Sequence, residues 1–399
     1  MKKSNLARKN ISTSAGPVMS FPLRKIRDKT QLHLYVRAGG RCEFDACNKY
    51  LMEHHLTKMP SNSGQMAHIV AFSEKGARGR SHRRPQIINN PKNLMLLCYS
   101  CHHHIDENPE RYSVATLRKY KDRHEQRIDH VTGLMPDQET TIVQLKANIG
   151  DHPVDIPVAQ VTEAIAPRYP VDSRDYIIDL TGIAGDGETF IQMAMDTIQQ
   201  HVNHLYATGM NVNRPQHISL FALAPISVLM FLGSRLSNKI PVDFYQRHRD
   251  TRNWVWKTKG TPDNYMFQRL KTGSDQSAVA LMLSLSGAIQ LADLPPEIDD
   301  RYSVYEITLD GQAPNPNYLR LKQDLVNFQS AYQACLRTIG KDHNPLSILH
   351  LFPAIPASIA IACGYELLPK VDPALYVYDY DKAKGGFTLA IRINENGPK

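Results

Sequence analysis

Two closely spaced pairs of cysteines place the strongest constraint on the fold of this chain. Cys42 and Cys47 have four residues between them, Cys98 and Cys101 have two, and 50 residues separate the pairs. Four thiols at such spacings are typical of a structural zinc site, which joins two distant segments into one small module. The sequence therefore predicts a zinc-stabilised module in the first third of the chain.

The other two cysteines carry a different prediction. Cys335 and Cys363 stand alone in apolar segments with helical spacing. We interpret both as buried thiols that pack as small hydrophobic side chains.

The charge distribution divides the chain in the same place. Residues 1–132 contain 24 Lys/Arg and 11 Asp/Glu, a net charge of +13, whereas the remainder contains 23 and 28, a net charge of −5. A basic module joined to a mildly acidic one predicts that only the first part binds a polyanion.

Membrane and secretory signals are not apparent in the pattern. Prolines interrupt the longest apolar runs, 218–233 and 346–364, and the first 20 residues are polar and basic. The composition, 42% hydrophobic and 22% charged, is that of an ordinary soluble protein. We expect a cytoplasmic protein without a membrane partner, and in that compartment paired cysteines bind metal more often than they form disulfides.

A polar stretch at 129–140 marks the predicted domain boundary, giving domains 1–135 and 136–399. The first reads as an α-rich zinc module that closes with a helix capped at Ser113. The second alternates strand-like and helix-like segments, which indicates an α/β domain with a parallel sheet.

The second domain contains an internal duplication. Residues 218–225 and 349–356 are similar strands that end in Pro225 and Pro356, and each proline is followed eight residues later by glycine. Further counterparts are 242–245 with 375–378, and 179–182 with 284–287. We predict two Rossmann-like halves. The elements of each half follow the order strand, helix, strand, proline-opened helix, strand. The two halves are expected to face one composite pocket beyond the carboxyl ends of their strands.

A second motif in the basic module carries the chemistry. Ala67-His68-Ile69-Val70 is followed by a basic loop, then by the run Asn93 to His102 (NLMLLCYSCH) and by Ile105-Asp106. This combination resembles the HNH nucleases over about residues 30–130. The resemblance implies an α+β fold of two strands and a helix around one divalent metal (the ββα-metal fold), with structural zinc beside it.

The resemblance also implies roles for three residues. His68 matches the histidine that activates water, and imidazole is a suitable general base near neutral pH. Asn93 matches the asparagine that holds the loop and orients the base. His102 matches the helix residue that binds the catalytic ion, Mg²⁺ or a similar divalent cation, during phosphodiester hydrolysis.

One departure from the family pattern leaves a ligand unassigned. Many relatives carry an acidic or histidine ligand just before the base, where this chain has Ala67. Asp106, one turn after His102, is expected to orient that imidazole. His103 and His104 are expected to face solvent or DNA. The basic loop is expected to contact backbone phosphates of double-stranded DNA. The positively charged residues of this loop are Lys75, Arg78, Arg80, Arg83 and Arg84.

The duplicated acidic half resembles the SAVED (CARF-like) sensors of CBASS anti-phage systems over about residues 140–399. The two strand–Pro–helix units and the segment Trp254-Val255-Trp256 carry the resemblance. It implies that a cyclic di- or trinucleotide binds the sensor, that the chains assemble into a homo-oligomer, and that the nuclease then degrades double-stranded DNA.

The residues of this half suit a nucleotide pocket. Helix N-termini after Pro225 and Pro356 offer N–H groups to phosphate. The positively charged side chains that could pair with its phosphates are Arg247, Arg249, Arg252 and Lys257. Trp254, Trp256 and Tyr378 can stack on bases or pack in the core. The glycines Gly182, Gly185 and Gly187 are interpreted as a plain loop, and no Gly-Lys-Ser/Thr motif supports nucleotide triphosphate hydrolysis.

Two other functions remain open from the sequence. A restriction-type HNH nuclease would read modified DNA with its second half, which predicts a basic second half, whereas this one is acidic. A non-catalytic zinc regulator with a ligand sensor would not need His68 and His102 at catalytic spacing.

Overall fold

The computed structural model describes residues 25–81, 84–148, 154–171, 176–183, 187–207, 215–236, 240–381 and 385–395. These residues separate into two compact units, divided between Leu134 and Met135. Within the described segments, no helix has both the length and the apolar composition needed to cross a membrane.

The described residues of the first unit form three α-helices and one two-stranded sheet. Its elements in chain order are α1 (Asp28–Arg37), β1 (Gly64–His68), β2 (Leu94–Cys98), α2 (Tyr99–Glu107) and α3 (Val114–Thr132). The two strands are antiparallel, with Gly64 opposite Cys98 and His68 opposite Leu94.

Local sequence explains these elements. All five residues of β2 are buried, so this apolar strand forms the centre of the module's core. The helix α3 begins at the predicted cap, where the Ser113 hydroxyl accepts a hydrogen bond from the Thr116 amide at 3.2 Å. Because α2 follows β2 without a loop, the cysteines at its start and the histidines within it are fixed relative to the sheet.

The second unit contains two sheets. The first half consists of β3 (Glu139–Lys146), α4 (Val158–Ile165), β4 (Tyr169–Pro170), β5 (Tyr176–Asp179), α5 (Gly187–Leu205), β6 (Ile218–Leu223), α6 (Ile226–Arg235) and β7 (Val242–Tyr245). The second half consists of β8 (Tyr265–Lys271), β9 (Ala278–Ser284), β10 (Ser303–Leu309), α7 (Lys322–Asp342), β11 (Ile348–Ala354), α8 (Ala357–Tyr365), β12 (Ala374–Asp381) and β13 (Gly386–Ile393).

The two halves share one strand order. In the first, β5, β3, β6 and β7 lie side by side and parallel. In the second, β10, β9, β11 and β12 do the same, with β8 and β13 added antiparallel at the edges. The predicted pairing of 179–182 with 284–287 is therefore wrong. Asp179 ends β5, the counterpart of β10, whereas Ser284 ends β9, the counterpart of β3.

The halves meet where α6 crosses α8. A Cβ on Gly233 would lie 2.1 Å from the Ile361 carbonyl oxygen, and one on Gly364 would lie 1.9 Å from the Met230 carbonyl oxygen. The two glycines that follow the prolines in the duplicated units thus allow the helix backbones to touch. One continuous apolar core extends across both halves and includes Cys335 and Cys363, both of which are fully buried.

Candidate functional site

The four cysteines of the first unit form one cluster. Their sulfur atoms all lie within 4.8 Å of one another, and within the described segments this is the single group of three or more His, Cys, Asp or Glu side chains arranged to hold a metal. Tetrahedral zinc with Zn–S bonds of about 2.3 Å places its sulfurs about 3.8 Å apart, so the cluster fits that ion. The Cys98 amide also donates to Cys42 Sγ at 3.3 Å, a contact that stabilises a thiolate.

His68 lies at the last position of β1, partly exposed. Its Nε2 atom lies 2.9 Å from Asn89 Oδ1, and Phe72 packs edge-on against the imidazole. A carbonyl oxygen at Nε2 favours the tautomer with the proton on that nitrogen. The Nδ1 lone pair is then available to accept a proton.

Asn93 is buried and holds the loop that follows His68. Its Nδ2 group donates to the carbonyl oxygens of Val70 at 3.0 Å and Ile88 at 2.9 Å, while its Oδ1 accepts from the Val70 amide at 3.0 Å. All of its side-chain bonds go to the backbone, so the structure places Asn93 where it fixes the end of β1.

His102 projects from α2 and contacts two side chains. Its Nδ1 lies 2.8 Å from Gln65 Oε1 on β1, and its Nε2 lies 3.5 Å from Asp106 Oδ2. Burial opposes ionisation of Asp106, but hydrogen bonds with His102 and Arg78 outweigh it and lower the pKa of this carboxyl below its ordinary value. Asp106 is thus a carboxylate aimed at the His102 ring.

The structure changes the interpretation of the basic loop. The Arg78 side chain is only 4% exposed and donates to the Ile69 and Ile105 carbonyl oxygens and to Asp106. Arg84 donates to three backbone carbonyls within its own loop. Both guanidinium groups are therefore occupied inside the module, which contradicts their predicted role on DNA. Lys75 and Arg80 are exposed, and Arg83 lies outside the described residues.

The neighbouring histidines of α2 also have partners. His103 pairs with Glu107 at 3.0 Å and stacks on Tyr99. His104 lies 2.9 Å from the Tyr112 hydroxyl, and both histidines are exposed, as expected.

In the second unit, the helix N-termini after Pro225 and Pro356 are closed by side chains of the opposite half. The Ser227 hydroxyl donates to Asp379 at 2.6 Å and the Ser227 amide reaches the same carboxylate at 3.3 Å. The Ser358 hydroxyl and amide donate to Gln246 Oε1 at 3.0 and 3.2 Å. The predicted open N–H groups at these two serines are therefore already paired, and burial raises the pKa of Asp379.

The candidate ligand residues divide between core and surface. Trp254 is 0% exposed and packs on Phe221, so it cannot stack on a ligand as it lies. Tyr378 is buried, stacked on Phe352 and bonded to His350, whose pKa burial lowers to about 4. Three candidates, Arg247, Trp256 and Lys257, are half-buried, and Arg249 and Arg252 are exposed. Gly185 lies outside the described residues.

Sequence reasoning missed four side chains at these sites. Gln65 shares a strand face with Ala67, so the two-residue period of a strand could have indicated it. Gln246 and Asp379 directly follow the aligned segments 242–245 and 375–378, which would have been a usable signal. Asn89 had no signal beyond its place in an asparagine-rich turn.

Family models match a segment of each unit. Residues 45–108 match the family HNH_2, described as HNH endonuclease. Residues 198–393 match SAVED, described as "SMODS-associated and fused to various effectors sensor domain". A search of curated proteins finds no match.

The solved structures that match include receptors named Cap4. One is the Acinetobacter baumannii Cap4 SAVED/CARF-domain containing receptor with the cyclic trinucleotide 3'3'3'-cAAA (12% identity, TM-score 0.40, 73% of this chain and 61% of that chain). Another is the Moraxella osloensis Cap4 receptor (12% identity, TM-score 0.34, 70% and 60%). The present chain thus spans about three fifths of the length of these structures.

Proposed function

The chain joins an HNH endonuclease domain to a SAVED sensor domain, and from this premise we propose that it is a metal-dependent endonuclease that degrades double-stranded DNA when a cyclic oligonucleotide binds. In this proposal it is the effector of a bacterial anti-phage (CBASS) response. The observation that carries the proposal is the arrangement of His68, Asn93 and His102 on one β1–β2–α2 unit beside a four-thiol cluster.

The geometry supports His68 as the general base. Nε2–H donates to Asn89, so Nδ1 is the atom that takes a proton from the attacking water. Asn93 holds the loop that sets the position of this imidazole. A Mg²⁺ ion held by His102 would polarise the phosphate and stabilise the leaving oxygen. The basic charge of the first 132 residues favours the approach of DNA.

Zinc at the four cysteines is the proposed structural ion. The cluster joins the loop containing Cys42 and Cys47 to the junction of β2 and α2, where Cys98 and Cys101 lie. Because His102 directly follows Cys101, zinc would fix the start of the helix that carries the proposed catalytic ligand against the loop containing Cys42 and Cys47.

For the sensor we propose two Rossmann-like halves and a ligand crevice at the carboxyl ends of their strands. Ser227 and Ser358 lie there in equivalent positions, and Arg247, Arg249 and Arg252 follow Gln246 on the same segment. Cations and N–H groups at this edge suit the phosphates of a cyclic di- or trinucleotide. A phosphate at α6 would compete with Asp379 for Ser227.

The deciding experiment titrates cyclic di- and trinucleotides while plasmid cleavage and molecular mass are followed together. We expect the ligand-free protein to be nearly inactive, and one ligand to switch on cleavage and assembly. A change from 1:99 to 99:1 in the active fraction requires about 5.5 kcal/mol of differential binding. Full cleavage by the ligand-free monomer, unchanged by every cyclic nucleotide, would support a restriction-type nuclease instead.

A further inference from the structure

The nuclease motif lacks a ligand where its relatives have one. Ala67 precedes the base His68, has no ligand atom and is 1% exposed. A second protein ligand for the catalytic cation must therefore come from another position. Because strand side chains alternate between faces, Gln65 lies on the same face of β1 as Ala67, one pleat earlier.

We propose that Gln65 is this ligand and that its Oε1 binds the catalytic divalent cation together with His102 Nδ1. This inference rests on the proposed nuclease function and adds a residue to its site. The two atoms lie 2.8 Å apart. Adjacent ligands of an octahedral Mg²⁺, each about 2.1 Å from the ion, are separated by about 3.0 Å. The observed spacing is that of two neighbouring ligands of one ion.

The surroundings of His102 orient it for this role. Asp106 faces Nε2 at 3.5 Å, and its other carboxylate oxygen accepts from Arg78 at 2.8 Å. Arg78 is in turn held by the carbonyl oxygens of Ile69 and Ile105. When a cation occupies Nδ1, this carboxylate is placed to accept a hydrogen bond from the proton on Nε2, as in other metal-binding histidines.

Without a cation, Nδ1–H donates a hydrogen bond to the carbonyl oxygen of the Gln65 side chain at 2.8 Å. A cation that binds both atoms replaces this proton, and the ring then carries its proton on Nε2, facing Asp106. An amide oxygen is a ligand that Mg²⁺ and Mn²⁺ accept.

Mn²⁺ binding to the full-length, zinc-loaded protein without DNA tests the assignment. The electron paramagnetic resonance signal of free Mn²⁺ gives the affinity independently of cleavage. We expect Gln65→Ala and His102→Ala each to weaken Mn²⁺ binding by about tenfold or more. Gln65→Glu, which supplies a carboxylate oxygen, should bind at least as tightly as the natural protein. Gln126→Ala, an exposed position on α3, is the matched control and should change nothing.

Two results would overturn the assignment. One is Mn²⁺ affinity in Gln65→Ala within twofold of the natural protein, and the other is Gln65→Glu binding as weakly as Gln65→Ala while its zinc content is unchanged. Either result, with cleavage by the natural protein intact, removes Gln65 alone. A natural protein that neither binds Mn²⁺ nor cleaves DNA with any cyclic nucleotide would instead refute the proposed nuclease function.

Discussion

Replacing Gly364 by alanine should destabilise the second unit by separating its two halves. A Cβ at this position would lie 1.9 Å from the Met230 carbonyl oxygen and 2.9 Å from the Ser234 amide nitrogen, both in the backbone of α6. Backbone atoms cannot rotate away as a side chain can, so α6 and α8 must move apart. Overpacking of this kind costs about 1–3 kcal/mol. The 1.9 Å contact with backbone places the cost in the upper part of this range, about 2–3 kcal/mol. Alanine returns about 0.5–1 kcal/mol in helix propensity, which leaves a net loss of about 1–2.5 kcal/mol.

Gly340→Ala is the matched control, because Gly340 lies within α7 and a Cβ there meets no atom within 4 Å. It should raise stability by about 0.5–1 kcal/mol. Both tryptophans of the chain, Trp254 and Trp256, lie in the second unit, so their fluorescence reports the unfolding of this unit alone. We expect Gly364→Ala to lower the midpoint of thermal unfolding by roughly 2–8 °C. A midpoint equal to or above that of the natural protein would refute the close crossing of α6 and α8.

Three further predictions address the chemistry and the charges. Cys98→Ser should lose zinc and destabilise the first unit, since structural zinc supplies much of the folding free energy of small modules; normal zinc content with normal melting would contradict the four-cysteine site. His68→Ala should reduce ligand-activated cleavage by about 10²–10⁴ without changing ligand binding; robust cleavage, with His130→Ala as the exposed control, would remove His68 from the role of base. Burial opposes ionisation of Asp243, but hydrogen bonds from His217 and Lys322 lower its pKa to about 2. The resulting stability is present above the ordinary pKa and is lost as the pH falls toward 2, so Asp243→Asn should remove about 1–2 kcal/mol at pH 7 and flatten the acid limb of unfolding between pH 4 and 2. An unchanged acid limb would show that these ion pairs do not stabilise the fold.

Local sequence was sufficient to predict the proline-opened helices and the residues that belong to a motif. The cysteine spacing predicted a cluster that the structure brings within 4.8 Å. The repeated proline and glycine positions predicted two proline-opened helices, and the structure shows that the glycines of these helices meet at a crossing. Spacing along the chain is read directly from the sequence, and proline and glycine indicate the local backbone conformation. The comparisons confirm the HNH and SAVED assignments that these motifs indicated.

Side chains whose partners come from distant segments were not predictable in the same way. Asp379 reaches Ser227 across 152 positions of the chain. An arginine in a basic loop reads as a phosphate ligand, yet Arg78 is buried against two carbonyls and a carboxylate. The sequence states the charge of such a group but not whether a folded partner neutralises it.

A metal site can be complete even where its sequence motif lacks a ligand. Ala67 offers no ligand atom at the position before the proposed base His68, but the β1 pleat places Gln65 on the same face and α2 brings His102 to within 2.8 Å of Gln65. A motif describes positions along the sequence, whereas cation binding depends on the positions of oxygen and nitrogen atoms in space. A neutral amide in place of a carboxylate should also bind the ion more weakly, so a nuclease centre built with Gln65 would depend more on the phosphate of bound DNA to complete the coordination of its metal.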